Sequence, residues 1–187
     1  MPDRMCNEQG RPMLFSTDFV LRPYVPGDAP ALVAAIVEST PTLAPWMPWA
    51  TAQFSMNDAL AWIATCEKGL AEATCSEFAI FDRASGMFVG GCGLNQMNAM
   101  HGFCNLGYWV RQSWQRKGAA SAAIRALADY AWTELEVQRL EIVVAVGNDA
   151  SLNAARKAGA FDEGIARKRL KLGQQWVDAH MLSLVKP

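Results

Sequence analysis

The run Tyr108-Trp109-Val110-Arg111-Gln112-Ser113-Trp114-Gln115-Arg116-Lys117-Gly118-Ala119-Ala120-Ser121 constrains the fold more than any other segment. It reads as a strand that breaks into a short basic turn and then opens a helix. The first N–H groups of a helix have no intrahelical partner, so this arrangement presents donors to an anion. Gly118 lets the backbone approach a ligand closely, Ala120 keeps the next turn free of bulk, and Arg116 and Lys117 supply charge. Ala120, Ala123, Ile124, Leu127 and Ala131 recur at three- and four-residue steps, which predicts one buried helical face in a helix reaching about Leu135.

Around this turn the chain alternates short β-type runs with amphipathic segments. Residues 19–25 predict a strand; Asp28 then caps a helix from about Ala29 to Glu38, with Pro30 tolerated in its first turn. Leu60, Ile63, Ala64 and Leu70 mark a second helix over Asn57 to Ala73. Glu77 to Phe81, Met87 to Gly93 and Phe103 to Val110 read as an antiparallel meander. Leu140, Ile142, Val144 and Val146 place a buried strand over Arg139 to Val146, followed by a helix from Asp149 to Lys157. Gly164 to Leu172 and Trp176 to Val185 close the chain as a hairpin through Gly173-Gln174-Gln175.

The 187 residues, 51% of them hydrophobic, can bury a sizeable core as one domain, placed at residues 14–187. Residues 1–13 show little periodicity and are expected to form a flexible arm. Seventeen Lys and Arg against eighteen Asp and Glu leave a formal charge of -1, so no global field favours nucleic acid or an acidic membrane, and no apolar run is long enough for a bilayer. Cys6, Cys66, Cys75, Cys92 and Cys104 are odd in number and lack Cys-x-x-Cys spacing, and no apolar leader opens the sequence; a reduced cytoplasm is the simplest setting. His101 and His180 have no ligand-spaced partners, which argues against a metal site. His101 reads as a loop residue and Cys104 as a small core residue.

Gln115-Arg116-Lys117-Gly118-Ala119-Ala120 resembles the Gln/Arg-x-x-Gly-x-Gly/Ala pyrophosphate motif of the GNAT-type N-acetyltransferases. Gly107-Tyr108-Trp109 followed by Trp114-Gln115-Arg116-Lys117-Gly118 is similar to the branch that acetylates the N-termini of ribosomal proteins. Leu21-Arg22-Pro23, Asn148-Asp149-Ala150-Ser151 and Lys157-Ala158-Gly159 resemble further family signatures in the same order. The wider family reads Lys-x-Gly-Phe, whereas here Ala160 intervenes before Phe161, so no role is carried over to that phenylalanine.

The resemblance covers roughly residues 15–185. It implies an α/β (α+β) fold with a mixed, mostly antiparallel sheet of about seven strands, a splayed central parallel pair and about four helices. It implies acetyl-CoA as co-substrate, held by Trp109, Val110, Gln115, Arg116, Lys117, Gly118, Ala119, Ala120, Ser121, Asn148 and Ser151, with a backbone N–H near Val110 meeting the acetyl carbonyl. The acceptor implied is a protein N-terminus, with polyamine, amino-acid or antibiotic amines as alternatives and a non-catalytic acyl-CoA sensor as another class. Proteins of this branch are often dimers.

By the same resemblance Ser151 becomes the candidate acid at the CoA sulfur, although Asn148 and Ser151 also sit where helix capping alone would place them. Glu77 is a candidate base or amine-holding group, or a solvated strand-end charge. Asp178 is a second candidate, because Val177-Asp178-Ala179 resembles the branch's C-terminal strand. Trp46 and Trp49, beside Pro45 and Pro48, would form one wall of the acceptor site or else plug the loop.

Overall fold

The computed structural model describes residues 5–6 and 11–187. Among the described residues, nine strands form one sheet: β1 (Met5–Cys6), β2 (Pro12–Phe15), β3 (Phe19–Pro23), β4 (Ser76–Asp82), β5 (Phe88–Asn98), β6 (Phe103–Val110), β7 (Arg139–Ala145), β8 (Phe161–Leu172) and β9 (Gln175–Val185), in the order β1-β2-β3-β4-β5-β6-β7-β9-β8. The helices are α1 (Ala29–Leu43), α2 (Met56–Ala71), α3 (Ala119–Glu134) and α4 (Asp149–Lys157). Every strand pair is antiparallel except β6 with β7. The mixed sheet, its single parallel pair and the four helices agree with the sequence reading, with more strands than expected.

Part of the difference lies at the start of the chain. Most of the segment read as an arm falls outside the described residues, but Met5 pairs with Met13 and Leu14 with Leu21, so the sheet begins before residue 14.

Strand alternation gives the sheet two buried faces. Phe78, Ile80, Leu94, Leu106 and Leu140 meet α3 through Ile124 and Leu127, while Ala79 and Phe88 face Leu32 and Ile36 of α1 and Ile63 of α2. The alanines at 119, 122, 123, 126, 128 and 131 are buried, and their small side chains let α3 lie close to the sheet. A capping box starts α2, with the Ser55 hydroxyl accepting from Asp58 N and the Asp58 carboxylate accepting from Ser55 N.

Several boundaries depart from expectation: β5 runs on to Asn98 rather than Gly93, β8 starts at Phe161 rather than Gly164, β7 ends at Ala145 with Val146 exposed, and the ends of α1 and of the last hairpin turn also differ. Helix α1 continues through Pro41 to Leu43, where the sequence predicts an end at about Glu38. Leu43 is buried, Ala44 N donates to Thr40 O, and the Ser39 and Thr40 hydroxyls donate to the carbonyls four residues back, so tertiary packing carries the helix past its proline. The final hairpin turns on Gly173 and Gln174, with Gly173 at φ +59°, and Gln175 already belongs to β9.

Because α3 fixes the basic turn to the sheet through Leu127, which is fully buried, Leu127→Ala should cost about 2–5 kcal/mol of unfolding free energy in urea titrations.

Candidate active site

The site begins where the sheet comes apart. Strands β6 and β7 pair at Phe103–Arg139, Cys104–Leu140 and Asn105–Glu141 and nowhere beyond. Each continues on its outer side: β5 accompanies β6 to Val110, and β9 accompanies β7 to Ala145. The two half-sheets therefore diverge toward their C-terminal ends. Arg111 N donates to Val89 O, and antiparallel alternation then turns the N–H groups of Tyr108 and Val110 away from β5 and into the gap.

The basic turn closes the mouth of this gap and is pinned to α1. The Glu38 carboxylate binds the Arg111 guanidinium and accepts from Ser113 N at 2.9 Å; Ser39 Oγ accepts from Gln112 N at 2.9 Å; Gln115 Nε2 donates to Thr42 Oγ1 at 3.2 Å. The extension of α1 past Glu38 supplies two of these anchors. Arg116 at φ +62° and Gly118 at φ +86° curl the backbone, and position leaves the N–H groups of Ala119, Ala120 and Ser121 without intrahelical partners. Ser121 is buried and donates its hydroxyl to Gly118 O at 3.1 Å, and Lys117 Nζ lies 4.3 Å over the Trp114 ring. The side chains of Gln115 and Ser121 thus hold the turn, and its backbone provides the donors.

On the other side of the gap, Asn148 Oδ1 caps α4 by accepting from Ser151 N at 3.2 Å. The Ser151 hydroxyl lies 2.9 Å from the Tyr108 hydroxyl, which also donates to Ser151 O at 2.9 Å. Burial pushes the Tyr108 phenol up to about 12, against the opposing effect of Ser151, so it stays protonated at neutral pH. The sequence places Tyr108 on β6 and Ser151 at a helix start, but nothing local to either residue announces their contact.

A cavity of about 440 Å³ adjoins the gap. Trp49, Phe54, Trp62, Trp109 and Tyr24 form much of its wall, with the Trp49 and Trp109 rings edge-to-face at 6.1 Å. Among the described residues, Glu77 is the one carboxylate lining it. Asn95 Nδ2 donates to Glu77 Oε1 at 3.0 Å, and Asn105 Nδ2 donates in turn to Asn95 Oδ1 at 2.9 Å. Burial pushes the Glu77 carboxyl up to about 6, the Asn95 bond working the other way. Glycines make the room: a Cβ on Gly93 would collide with the Glu77 carboxylate, and one on Gly91 with the Tyr24 hydroxyl and the Trp109 indole. The run Gly90-Gly91-Cys92-Gly93 was the available signal, since glycines inside a strand mark a close approach.

The other sequence candidates part company. Trp109 turns its indole into the cavity and pairs its backbone with Gly91, so its side chain lies in the cavity rather than in the gap. Trp49 reaches the cavity, but Trp46 does not line it and instead lies near Gly147, just past β7. Asp178 is exposed, does not line the cavity, and accepts from Lys168 N at 2.8 Å, bracing an irregular stretch of β8; it does not converge with Glu77. Cys104 is fully buried, and burial pushes its thiol up to about 11, away from nucleophilic chemistry. Ala160 is buried where the wider family has phenylalanine, and Phe161 is 72% exposed.

A mixed sheet parted at one parallel seam, with a basic turn and a helix N-terminus at its mouth, defines a GNAT-type fold. The chain belongs to the GNAT acetyltransferases: the family model described as acetyltransferase (GNAT) domain matches residues 18–160. The Bacillus subtilis protein named "Putative ribosomal N-acetyltransferase YdaF" is 34% identical over 101 residues, 54% of this chain and 55% of that protein. The chain spans about half the length of the curated relatives it matches. A Vibrio cholerae structure described as a "putative ribosomal-protein-serine acetyltransferase" superposes with a TM-score of 0.82 at 28% identity, covering 93% of this chain and 97% of that one. The fold is also that of RimL, a ribosomal L7/L12 α-N-protein acetyltransferase solved with coenzyme A, at a TM-score of 0.84, 21% identity and 92% and 97% coverage.

Glu38 gives the anchoring of the turn a pH signature. The bond from Arg111 holds its carboxyl down, from 4.5 to about 2. A group depressed on folding contributes stability above its unfolded pKa and loses it as pH falls through the folded value. The stability difference between wild type and Glu38→Gln should therefore be largest near neutrality and shrink between about pH 5 and pH 2, as read from denaturation midpoints across that range.

Proposed function

We propose that the chain is an acetyl-CoA-dependent N-acetyltransferase whose acceptor is the α-amino group of a protein N-terminus. The observation that carries this is the placement of Glu77: the one carboxylate lining an aromatic cavity, among the described residues, beside a seam whose free backbone donors run to Val110. In this reading the N–H groups of Ala119, Ala120 and Ser121, with Arg116 and Lys117, hold the pyrophosphate. The backbone of β6 beyond Asn105 pairs with the pantetheine, and Val110 N–H meets the acetyl oxygen as charge develops on it.

Glu77 faces the incoming amine. An exposed α-amino group has a pKa near ~8, and the apolar walls that push Glu77 up push an ammonium down, so the two values approach and proton transfer becomes accessible. The neutral amine attacks the thioester carbon directly. The leaving thiolate takes its proton from the Ser151 hydroxyl, which Tyr108 positions across their 2.9 Å contact, and the proton that the nitrogen sheds as the amide forms restores the hydroxyl.

One carboxylate among aromatic walls suits a single ammonium on an extended chain; a polycation would leave its further charges unpaired in apolar surroundings. This favours a peptide over polyamine or aminoglycoside acceptors, and the names of two relatives, the Bacillus subtilis and Vibrio cholerae proteins, point the same way.

Acetyl-CoA-dependent thiol release, measured with N-terminal peptides, single amino acids, polyamines and aminoglycosides, tests the reading. A peptide should be the best substrate. A polyamine or drug as the best substrate overturns the acceptor, and silence across the panel overturns the activity. With the peptide, kcat/KM should rise with pH through about 6 as Glu77 ionises. Glu77→Gln should remove that limb and lower kcat by about 10²–10⁴, while Ser151→Ala and Tyr108→Phe should lower kcat with little change in the KM for acetyl-CoA.

A further inference from the structure

A second cavity, of about 190 Å³, lies behind Glu77. Tyr24 and Glu77 line both cavities, so the two side chains form the partition between them. The rear cavity is otherwise walled by α2, through Cys66, Glu67, Leu70 and Ala71, and by Pro23 and Arg11, whose guanidinium binds the Glu67 carboxylate at 3.2 Å. That ion pair is part exposed, which places solvent at one end of the cavity and Glu77 at the other. The cavity has room for several waters, and Tyr24, Glu67, Glu77 and Arg11 on its lining provide the hydrogen-bond partners that buried water needs.

We propose that the rear cavity is a water-filled exit for the proton that the acceptor amine loses, with Glu77 passing it from the front cavity to the back. This rests on the reading of Glu77 as the group facing the amine. The ammonium N–H bond breaks, the proton moves to a Glu77 oxygen, and water in the rear cavity takes it to solvent, regenerating the carboxylate. The nitrogen sheds its second proton after the C–N bond forms and the C–S bond breaks; protonation of the departing thiolate balances that loss. The net products are an amide, a thiol and the one proton delivered through the rear.

A rear exit answers a constraint of the front site. Once a thioester and a peptide occupy the seam and the aromatic cavity, water is displaced from the face of Glu77 that takes the proton. The groups packed around Glu77 do not compete for it. Tyr24 beyond β3, Cys66 on α2, Cys75 after α2 and Cys92 on β5 are all pushed up by burial and by the Glu77 charge, and so stay protonated. Asn95, the hydrogen-bond partner of Oε1, does not titrate, and Arg11 and Glu67 pair with each other at the mouth.

Filling the rear cavity tests the exit. Ala71→Phe, and independently Cys66→Leu in case one variant fails to fold, should lower kcat with the best amine about tenfold at unchanged KM for acetyl-CoA. The rate should recover on addition of a small buffer base such as imidazole. Unchanged kcat, or a fall that buffer does not rescue, in a folded variant overturns the exit. A carbon-13 carboxyl titration of the ligand-free protein decides the matter without turnover: filling the cavity should move the Glu77 midpoint upward, because rear water solvates the carboxylate, and an unmoved midpoint overturns the proposal. If wild type acetylates nothing on the panel, the functional reading fails by itself while the titration still judges the cavity.

Discussion

Strands β6 and β7 share three residue pairs and then separate, each still held by its outer neighbour. A parallel pair that parts in mid-sheet leaves backbone donors and acceptors unsatisfied, which a folded chain tolerates where water or a ligand completes them. The rest of the architecture serves that gap. Helix α3 packs its alanine face on the sheet and brings three free N–H groups to the mouth, and α1 binds the turn through Glu38 and Ser39 and, past Pro41, through Thr42. Helix α4 begins opposite, with Ser151 meeting Tyr108 across the opening.

The two sides of the gap differ in electrostatic character. At the turn, Arg111 draws the Glu38 carboxyl down to about 2, so an ion pair sits beneath a surface that offers N–H groups and cations outward. In the cavity, burial draws Glu77 up to about 6, close to the pH at which a carboxylate can both accept and release a proton. Opposite shifts of two carboxyl groups have different causes, pairing in one and desolvation in the other.

Much of this was legible in the sequence wherever period and turn chemistry agreed. Strand β6 and helix α4 were read to their observed ends, and the Gln115-to-Ala120 pattern located the turn. What was not legible depends on which residues meet across the fold. Nothing local says that Tyr108 and Ser151, 43 positions apart, share a hydrogen bond, or that Asn105 and Asn95 pass one on to Glu77. Asp178 stood beside Glu77 as a candidate because Val177-Asp178-Ala179 resembles the branch's C-terminal strand, but alternation sends the buried Ala179 inward and leaves Asp178 on the opposite side, against β8. Pro41 misled for the reverse reason: a proline lowers helix propensity, and tertiary contacts of Leu43 override it.

The account stands on the seam and its turn receiving acetyl-CoA. Calorimetric titration of wild type and Gly118→Trp with acetyl-CoA tests that most directly. Gly118 has the left-handed φ of +86° that disfavours any side chain, and it lies among the free N–H groups. The account predicts saturable 1:1 binding by wild type and loss of that binding in the variant, with the thermal transition of the fold retained. Equal binding by both folded proteins, or none by wild type, would contradict it.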